Sequence, residues 1–221
     1  MGKIRLGILG VGNQGSMYAK KILGGECPEF ELVSIADKNP ARIEWVKQNF
    51  TSKLNFYTSL DEMLDKAKDM TLDKAVVAEF AADLQKGKKL LILTDNAGEI
   101  GFDRVLAEEL QKLYPHLQIT FCVRGIPVAN DATREDAAAV GITFPVIDSG
   151  NAVGGTAEEL LSEEAKTALH TADVILAKGM GNTESMWGCG YNIYYAFLVK
   201  CQRFVEVFNA PLMAPLFVKE K

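Results

Sequence analysis

Four short apolar runs follow one another along this chain, and each breaks off into a polar or glycine-rich cluster. The run opening at Leu90 stops at Asp95-Asn96. Gln118 to Val123 leads through Arg124-Gly125-Ile126-Pro127 to Asn130-Asp131-Ala132-Thr133. Phe144 to Ile147 closes on Asp148-Ser149-Gly150-Asn151, and Val174 to Ala177 closes on Lys178-Gly179-Met180-Gly181-Asn182. Short continuous apolar runs are what strands buried on both faces look like, as in a parallel sheet with helices on either side. The expected class is therefore α/β, a Rossmann-like, doubly wound and mostly parallel sheet with flanking helices. The carboxyl ends of its strands share one edge, and ligands bind just beyond that edge. Asp95, Asn96, Asp131 and Lys178 are expected to converge there.

Those residue types suggest a chemistry. Oxygen-bearing side chains suit a hard divalent cation. A carboxylate-rich cluster with one lysine fits phosphate chemistry, in which a metal neutralises phosphate oxygens and activates water while an ammonium acts as a point charge. Glycines beside Lys178 let backbone N–H groups approach an anion. A plainer reading makes Asp95 or Asn96 the N-cap of the next helix, and the residues alone leave both readings open. Glu99 either orients or activates a water or only complements the helix dipole. Arg124 contacts phosphate or is a solvated surface side chain, and Asn182 contacts substrate or caps the next helix. Asp148 and Asn151 border the pocket or simply form Asx-Gly turns. Trp187, in the loop MWGCGYN before a strand from Ile193 to Val199, lines the pocket or anchors the core.

Bulk properties narrow the field. The 221 residues are 48% hydrophobic and 24% charged, an ordinary globular composition with room for one large α/β domain or two small ones. A net charge of −5 without a basic run argues against nucleic-acid and membrane partners. Positive charge for a phosphate must then be focused locally. The N-terminal apolar run is short and turns into glycines, unlike a signal peptide, and no stretch reaches the roughly 18 apolar residues of a membrane span. Cys27, Cys122, Cys189 and Cys201 lack CxxC spacing and are expected as free, buried thiols. With only His116 and His170, a His-rich zinc site is not expected. The expected compartment is the cytoplasm.

The first third carries a different pattern. Lys3 to Leu9 reads as a strand leading into Gly10-Val11-Gly12-Asn13-Gln14-Gly15 and a helix through about Leu23. A second strand, Glu31 to Ala36, ends at Asp37. This is the dinucleotide fingerprint, in which glycines form the turn, a helix N-terminus meets the pyrophosphate, and an acid meets the ribose hydroxyl. Under this reading Gly10, Gly12, Gly15 and Asp37 contact NAD(P). Pro40 to Phe50 reads as a helix, Asn55 to Thr58 as a strand, and Ser59-Leu60-Asp61-Glu62 as a capping-box helix start. The opening KIRLGILGVGNQGSMYAKKIL, ELVSIADKNPARIE and FYTSLDEML resembles the N-terminal half of the glucose–fructose oxidoreductase and inositol dehydrogenase family over residues 1–65. The Glu-Lys-Pro strand end that carries that family's catalytic lysine does not occur in the chain.

From about residue 88 onward the chain resembles the damage-control phosphatase family. The motifs are LLILTDNAGEIGFDRVLAEEL, ITFCVRGIPVANDATREDA, VIDSGNAVGGT and ADVILAKGMGNTESM, with YNIYYAFLVKCQRFVEVFNAPL closing the pattern. The resemblance implies hydrolysis of small phosphorylated metabolites, sugar phosphates included, with manganese, cobalt, nickel or magnesium. It makes Asp95, Asn96 and Asp131 metal ligands and Lys178 the phosphoryl-holding residue; with Glu99, read from its place in the first helical turn, Asp95 and Lys178 form the expected catalytic group. The family's helical region ahead of the Asp-Asn strand is replaced here by the dehydrogenase-like segment, so incomplete closure over the substrate is expected. Residues 1–68 are thus read as a Rossmann-type βαβαβ segment and 69–221 as a metal-dependent phosphatase-like domain. A helical joining segment carries Leu72, Val76, Val77, Phe80 and Leu84 at helical spacing. The juxtaposition suggests a fusion or chimera. Its alternative functions are an NAD(P)-binding oxidoreductase-like protein or a recombined chain without evolved activity. The open sheet edge of the first segment needs a partner, and a homo-oligomer is one way to supply it.

Overall fold

The computed structural model describes residues 4–49, 54–59, 62, 72–212 and 214–220. The chain divides into two compact units, Met1–Thr71 and Leu72–Lys221.

In the first unit, β1 (Ile4–Leu9), β2 (Phe30–Ala36) and β3 (Asn55–Tyr57) form a parallel three-stranded sheet in that order. Helices α1 (Asn13–Leu23) and α2 (Pro40–Asn49) follow the first two strands. Val11, Ala19, Leu32, Ile35, Ile43 and Val46 make its buried cluster. A Cβ on Gly15 would lie 1.9 Å from the Gly10 carbonyl oxygen, so only glycine lets α1 start so close to the turn. The Asp37 carboxylate accepts hydrogen bonds from the N–H groups of Val11 (2.7 Å) and Asn39 (2.8 Å). At the capping-box sequence, Ser59 Oγ accepts from Glu62 N at 3.1 Å and Glu62 accepts from Thr58 N at 2.7 Å. Most of the helix expected there, and the start of the joining segment, lie outside the described residues.

The second unit contains α3 (Lys74–Lys86), β4 (Lys89–Leu93), α4 (Ile100–Leu113), β5 (Gln118–Val123), α5 (Arg134–Ala139) and β6 (Val146–Asp148). A 3₁₀ turn (Glu158–Leu160) and α6 (Glu163–Thr171) come next. Then follow β7 (Val174–Lys178), α7 (Gly179–Met186), β8 (Ile193–Leu198), α8 (Gln202–Phe208) and β9 (Pro215–Lys219). The six strands lie in the order β6-β5-β4-β7-β8-β9, all parallel except the antiparallel edge strand β9. Alternation along β4 shows why its sequence is apolar throughout. Leu90 and Ile92 pack with Leu84 of α3 and Ala107 and Leu110 of α4, while Leu91 and Leu93 pack with Ala165 and Leu169 of α6 and Met186 of α7. From β4 the chain steps outward through β5 to β6; from β7 it steps the other way, to β8. The gap beyond β4 and β7 is the topological switch point, where doubly wound folds bind ligands.

Several expectations are revised. Val76, Phe80 and Leu84 carry the packing of α3 on one i, i+4, i+8 stripe, whereas Leu72 and Val77 lie off it, 44% and 40% exposed. Strand β9 was not expected, because Pro215 and its short length hide an edge strand. Of the four free cysteines only Cys122 is buried, and Cys189 is exposed. No described helix is long and apolar enough to cross a membrane.

Candidate functional site

The site begins where β4 ends. Thr94 anchors the strand end by donating from N (3.1 Å) and Oγ1 (3.0 Å) to the Cys122 carbonyl. Beyond it, residues 95–97 pair with the returning segment 130–132: Ala132 N donates to Asp95 O and Ala97 N to Asn130 O, both at 2.8 Å. Asn96 and Asp131 are therefore directly opposed across an antiparallel bridge, and opposed residues share a face. Helix α4 starts later, with Glu99 as its N-cap and no capping side chain. The N-cap reading of Asp95 and Asn96 is thus excluded.

Within this corner Asn96 Nδ2 donates to Asp95 Oδ2 at 2.8 Å and to Glu99 Oε1 at 3.0 Å. Burial, then the charges of Glu99 and Asp131, push the Asp95 carboxyl up to about 6. Among the described residues, Asp95 Oδ1, Asn96 Oδ1 and Asp131 Oδ1 accept no hydrogen bond. Three uncommitted hard oxygens, two of them on mutually repelling carboxylates, match the donor chemistry of a divalent cation. The set is two carboxylates and an amide; no group of three His, Cys, Asp or Glu side chains able to hold a metal occurs among the described residues.

The opposite wall comes from β7. Lys178, its last residue, donates from Nζ to Asp103 Oδ1 at 2.6 Å and to Glu99 Oε2 at 3.4 Å. Burial disfavours its ammonium, but the Asp103 and Glu99 carboxylates outweigh that and hold its pKa above the usual lysine value. Gly179 follows with φ +83°, and a Cβ there would lie 2.2 Å from Asp95 Cγ. The two strand tips meet through that glycine. Asp95, Glu99, Lys178, Gly179, Met180 and Lys200 line the polar end of a cleft of about 260 Å³, and Ala196, Leu198, Leu216 and Phe217 line its apolar wall.

Other residues singled out in the sequence do different work. Arg124 is not a solvated arginine: it is 5% exposed, with Nε on Asp131 Oδ2 at 2.7 Å and a terminal nitrogen on Asn182 Oδ1 at 3.1 Å. Its geometry fixes Asp131 rather than reaching for phosphate. Asn182 lies inside α7, not at its cap, and is 1% exposed. Its Oδ1 also accepts from Thr156 Oγ1 at 2.8 Å, and its Nδ2 donates to the carbonyls of Lys178 (2.7 Å) and Thr94 (3.1 Å). That side chain is a buried brace between the two strand tips. Asp148 pairs with Arg134 at 2.6 Å, and Asn151 bonds the backbone of Ser149, Leu160 and Val153, so both shape the neighbouring loop. Trp187 packs on Tyr195 and Phe208, away from the residues that line this cleft. The sequence reading missed Asp103, Lys200 and Thr156. Asp103 was findable, since it follows Glu99 by one helical turn on the same face; Thr156 carries no local signal.

A doubly wound sheet with an Asp-Asn tip, a returning aspartate and a lysine at its switch point puts carboxylates and an ammonium where α/β proteins of this class bind ligands. The comparisons make the class specific. Residues 48–215 match the damage-control phosphatase ARMT1-like domain, and the chain belongs to that family. It is 28% identical over 169 residues to a damage-control phosphatase of Pyrococcus horikoshii, covering 74% of this chain and 58% of that protein. It is 38% identical over 124 residues to a damage-control phosphatase of Archaeoglobus fulgidus, covering 54% of this chain and 42% of that one. An uncharacterized protein of Methanocaldococcus jannaschii is 43% identical over 125 residues, 54% of this chain and 40% of its own length. The crystal structure of a DUF89 family protein from Pyrococcus horikoshii superposes with a TM-score of 0.66 at 26% identity, covering 74% of this chain and 59% of that one. The chain thus spans about half the length of the curated relatives it matches.

Proposed function

We propose that the second unit is a divalent-cation-dependent phosphatase for small phosphorylated metabolites, sugar phosphates among them. One observation carries the reading: Asp95 and Lys178 stand at the tips of adjacent strands, lining one cleft at the switch point. Asp95, Asn96 and Asp131 would hold manganese, cobalt, nickel or magnesium. Such a cation supplies Lewis acidity to a phosphoryl oxygen and lowers the pKa of water. Arg124 keeps Asp131 turned to the site, and Glu99 ties Asn96 to Lys178. Lys178 places a positive charge where negative charge gathers on the transferring group. Glu99, 44% exposed at the cleft, is the carboxylate placed to take a proton from an attacking water. The free cysteines fit a reducing compartment, and we assign the activity to the cytoplasm.

The test is a screen of p-nitrophenyl phosphate and sugar phosphates with each of the four metals. Asp95→Ala is expected to abolish both turnover and calorimetric Mn²⁺ binding; unchanged Mn²⁺ affinity in that variant would end the assignment.

A second reading concerns the first unit, where Val11, Gly12, Asn13, Ser16, Arg42 and Trp45 line a cleft of about 240 Å³ beside the glycine turn. The expected ribose contact of Asp37 is revised, because its buried carboxylate is held by Val11 N, Asn39 N and Arg42 and braces the glycine turn. Under this reading NAD or NADP should bind with micromolar affinity. Calorimetry showing neither nucleotide bound leaves the glycines a structural turn.

A further inference from the structure

Asp103 sits on α4, one helical turn after Glu99, and is 3% exposed. Its Oδ1 accepts from Lys178 Nζ at 2.6 Å, while its Oδ2, equally buried, has no hydrogen-bond partner among the described residues. A carboxylate kept for stability has donors on both oxygens, because taking an ionised oxygen out of water without one is strongly unfavourable. Asp103 instead has a single donor, and that donor is the ammonium facing the cleft. Replacing a buried ion pair by apolar side chains of similar volume is often neutral or stabilising, so the pair calls for a reason other than stability.

The geometry supplies that reason. An ammonium has three N–H donors on a flexible four-carbon stem. One is held by Asp103 in the tight contact, and a second faces Glu99 at 3.4 Å, where the carboxylate is 44% exposed. The third is left for the cleft, which Lys178 lines together with Asp95 and Gly179. Without Asp103, the remaining acids near the ammonium are Glu99 and Asp95, both on the cleft side. The lysine would then turn toward the acids that serve the cation and the water.

We infer that Asp103 is the positioning residue of this site: it anchors the Lys178 ammonium from behind so that its charge stays aimed at the phosphoryl position, and the fold gives up stability to keep it. The inference rests on the phosphatase reading for its chemistry, but its structural half is measurable without any turnover. Asp103→Asn keeps the side-chain shape and removes the charge. With p-nitrophenyl phosphate and Mn²⁺, it should lower kcat about tenfold or more and leave KM within about threefold. The double variant Asp103→Leu/Lys178→Met, or Asp103→Ala/Lys178→Met should leucine overfill the site, should melt at or above the wild-type temperature in the absence of metal.

An unchanged kcat in Asp103→Asn, or a loss expressed in KM alone, overturns the positioning role. Melting of both apolar doubles well below wild type overturns it too, by showing that the pair serves the fold. A wild-type chain that hydrolyses none of the phosphates with any of the four metals counts against the phosphatase reading instead. The double variants then decide separately whether this pair is held for something other than stability.

Discussion

A methyl group on Gly179 would sit 2.2 Å from Asp95 Cγ and 2.3 and 2.5 Å from its two oxygens, in a backbone at φ +83°. Two penalties therefore coincide at one residue. Left-handed backbone costs a non-glycine residue about 1–2 kcal/mol, and the carboxylate, already desolvated and pushed up to about 6, cannot stay where it is. Gly179→Ala is accordingly expected to destabilise the second unit by about 1–2 kcal/mol and to weaken Mn²⁺ binding by about tenfold or more through displacement of Asp95. Gly101→Ala is the control. Its Cβ would meet nothing nearer than Val140 Cγ1 at 3.8 Å, so Mn²⁺ affinity should be unchanged and stability held or slightly raised. Calorimetric Mn²⁺ titration and thermal melting of the two variants check this. Equal Mn²⁺ affinity in both would mean that the strand tips do not meet at the binding position. The same scale shows why the placement of Asp95, Asn96, Asp131 and Lys178 at one sheet edge was legible in the sequence while the packing of Arg124 was not. The four are polar residues just beyond strand ends or on the returning segment, a position with chemical meaning. Arg124 stands at a strand end as well, but its meaning depends on Asp131 and Asn182, and no spacing rule forecasts a three-element contact.

At the scale of elements, the strands were the legible part because both faces of this sheet are covered. Leu90 through Leu93 had to be apolar throughout, and the sequence shows it. The same reasoning found β5 at its observed bounds and β7 and β8 with one end shifted by a residue. It placed β6 too early, since Phe144 packs against the core ahead of the paired residues Val146–Asp148. The first turn of helix α7 was hidden. A Gly-Met-Gly-Asn start reads as a loop on propensity, yet Asn182 bonds three backbone carbonyls, Leu93 among them at 3.5 Å, and Thr183 Oγ1 donates to Gly179 O at 3.0 Å. Tertiary hydrogen bonds there outweigh two glycines. Strand β9 escaped for the opposite reason, since an antiparallel edge needs no long apolar run. Lys219 at its end is held by Glu79 at 2.8 Å and Asp83 at 2.9 Å, and Asp83 also accepts from Tyr194 at 2.7 Å. A charged clamp of that kind closes the sheet edge without leaving a hydrophobic signature.

For the molecule as a whole, the buried clusters among the described residues divide cleanly by unit. One consists of residues between Val11 and Val46, and the other three of residues between Leu84 and Ala210. Smaller units bury a smaller fraction of their surface, so the first is the less stable on area grounds. Calorimetry is therefore expected to resolve two transitions, the first unit melting below the second. Ile35 is fully buried in the smaller cluster, and truncating such a residue to alanine costs about 2–5 kcal/mol. In a domain of this size each kcal/mol moves the midpoint by about 4–8 °C. Ile35→Ala should thus lower the first transition by about 8 °C or more, or abolish it, and leave the second where it was. Mn²⁺ should act in the opposite pattern, raising the second transition by mass action while the first stays fixed. A single transition that Ile35→Ala and Mn²⁺ both displace would show that the two cores unfold as one, and that the site beyond β4 and β7 depends on the glycine-turn unit for its stability.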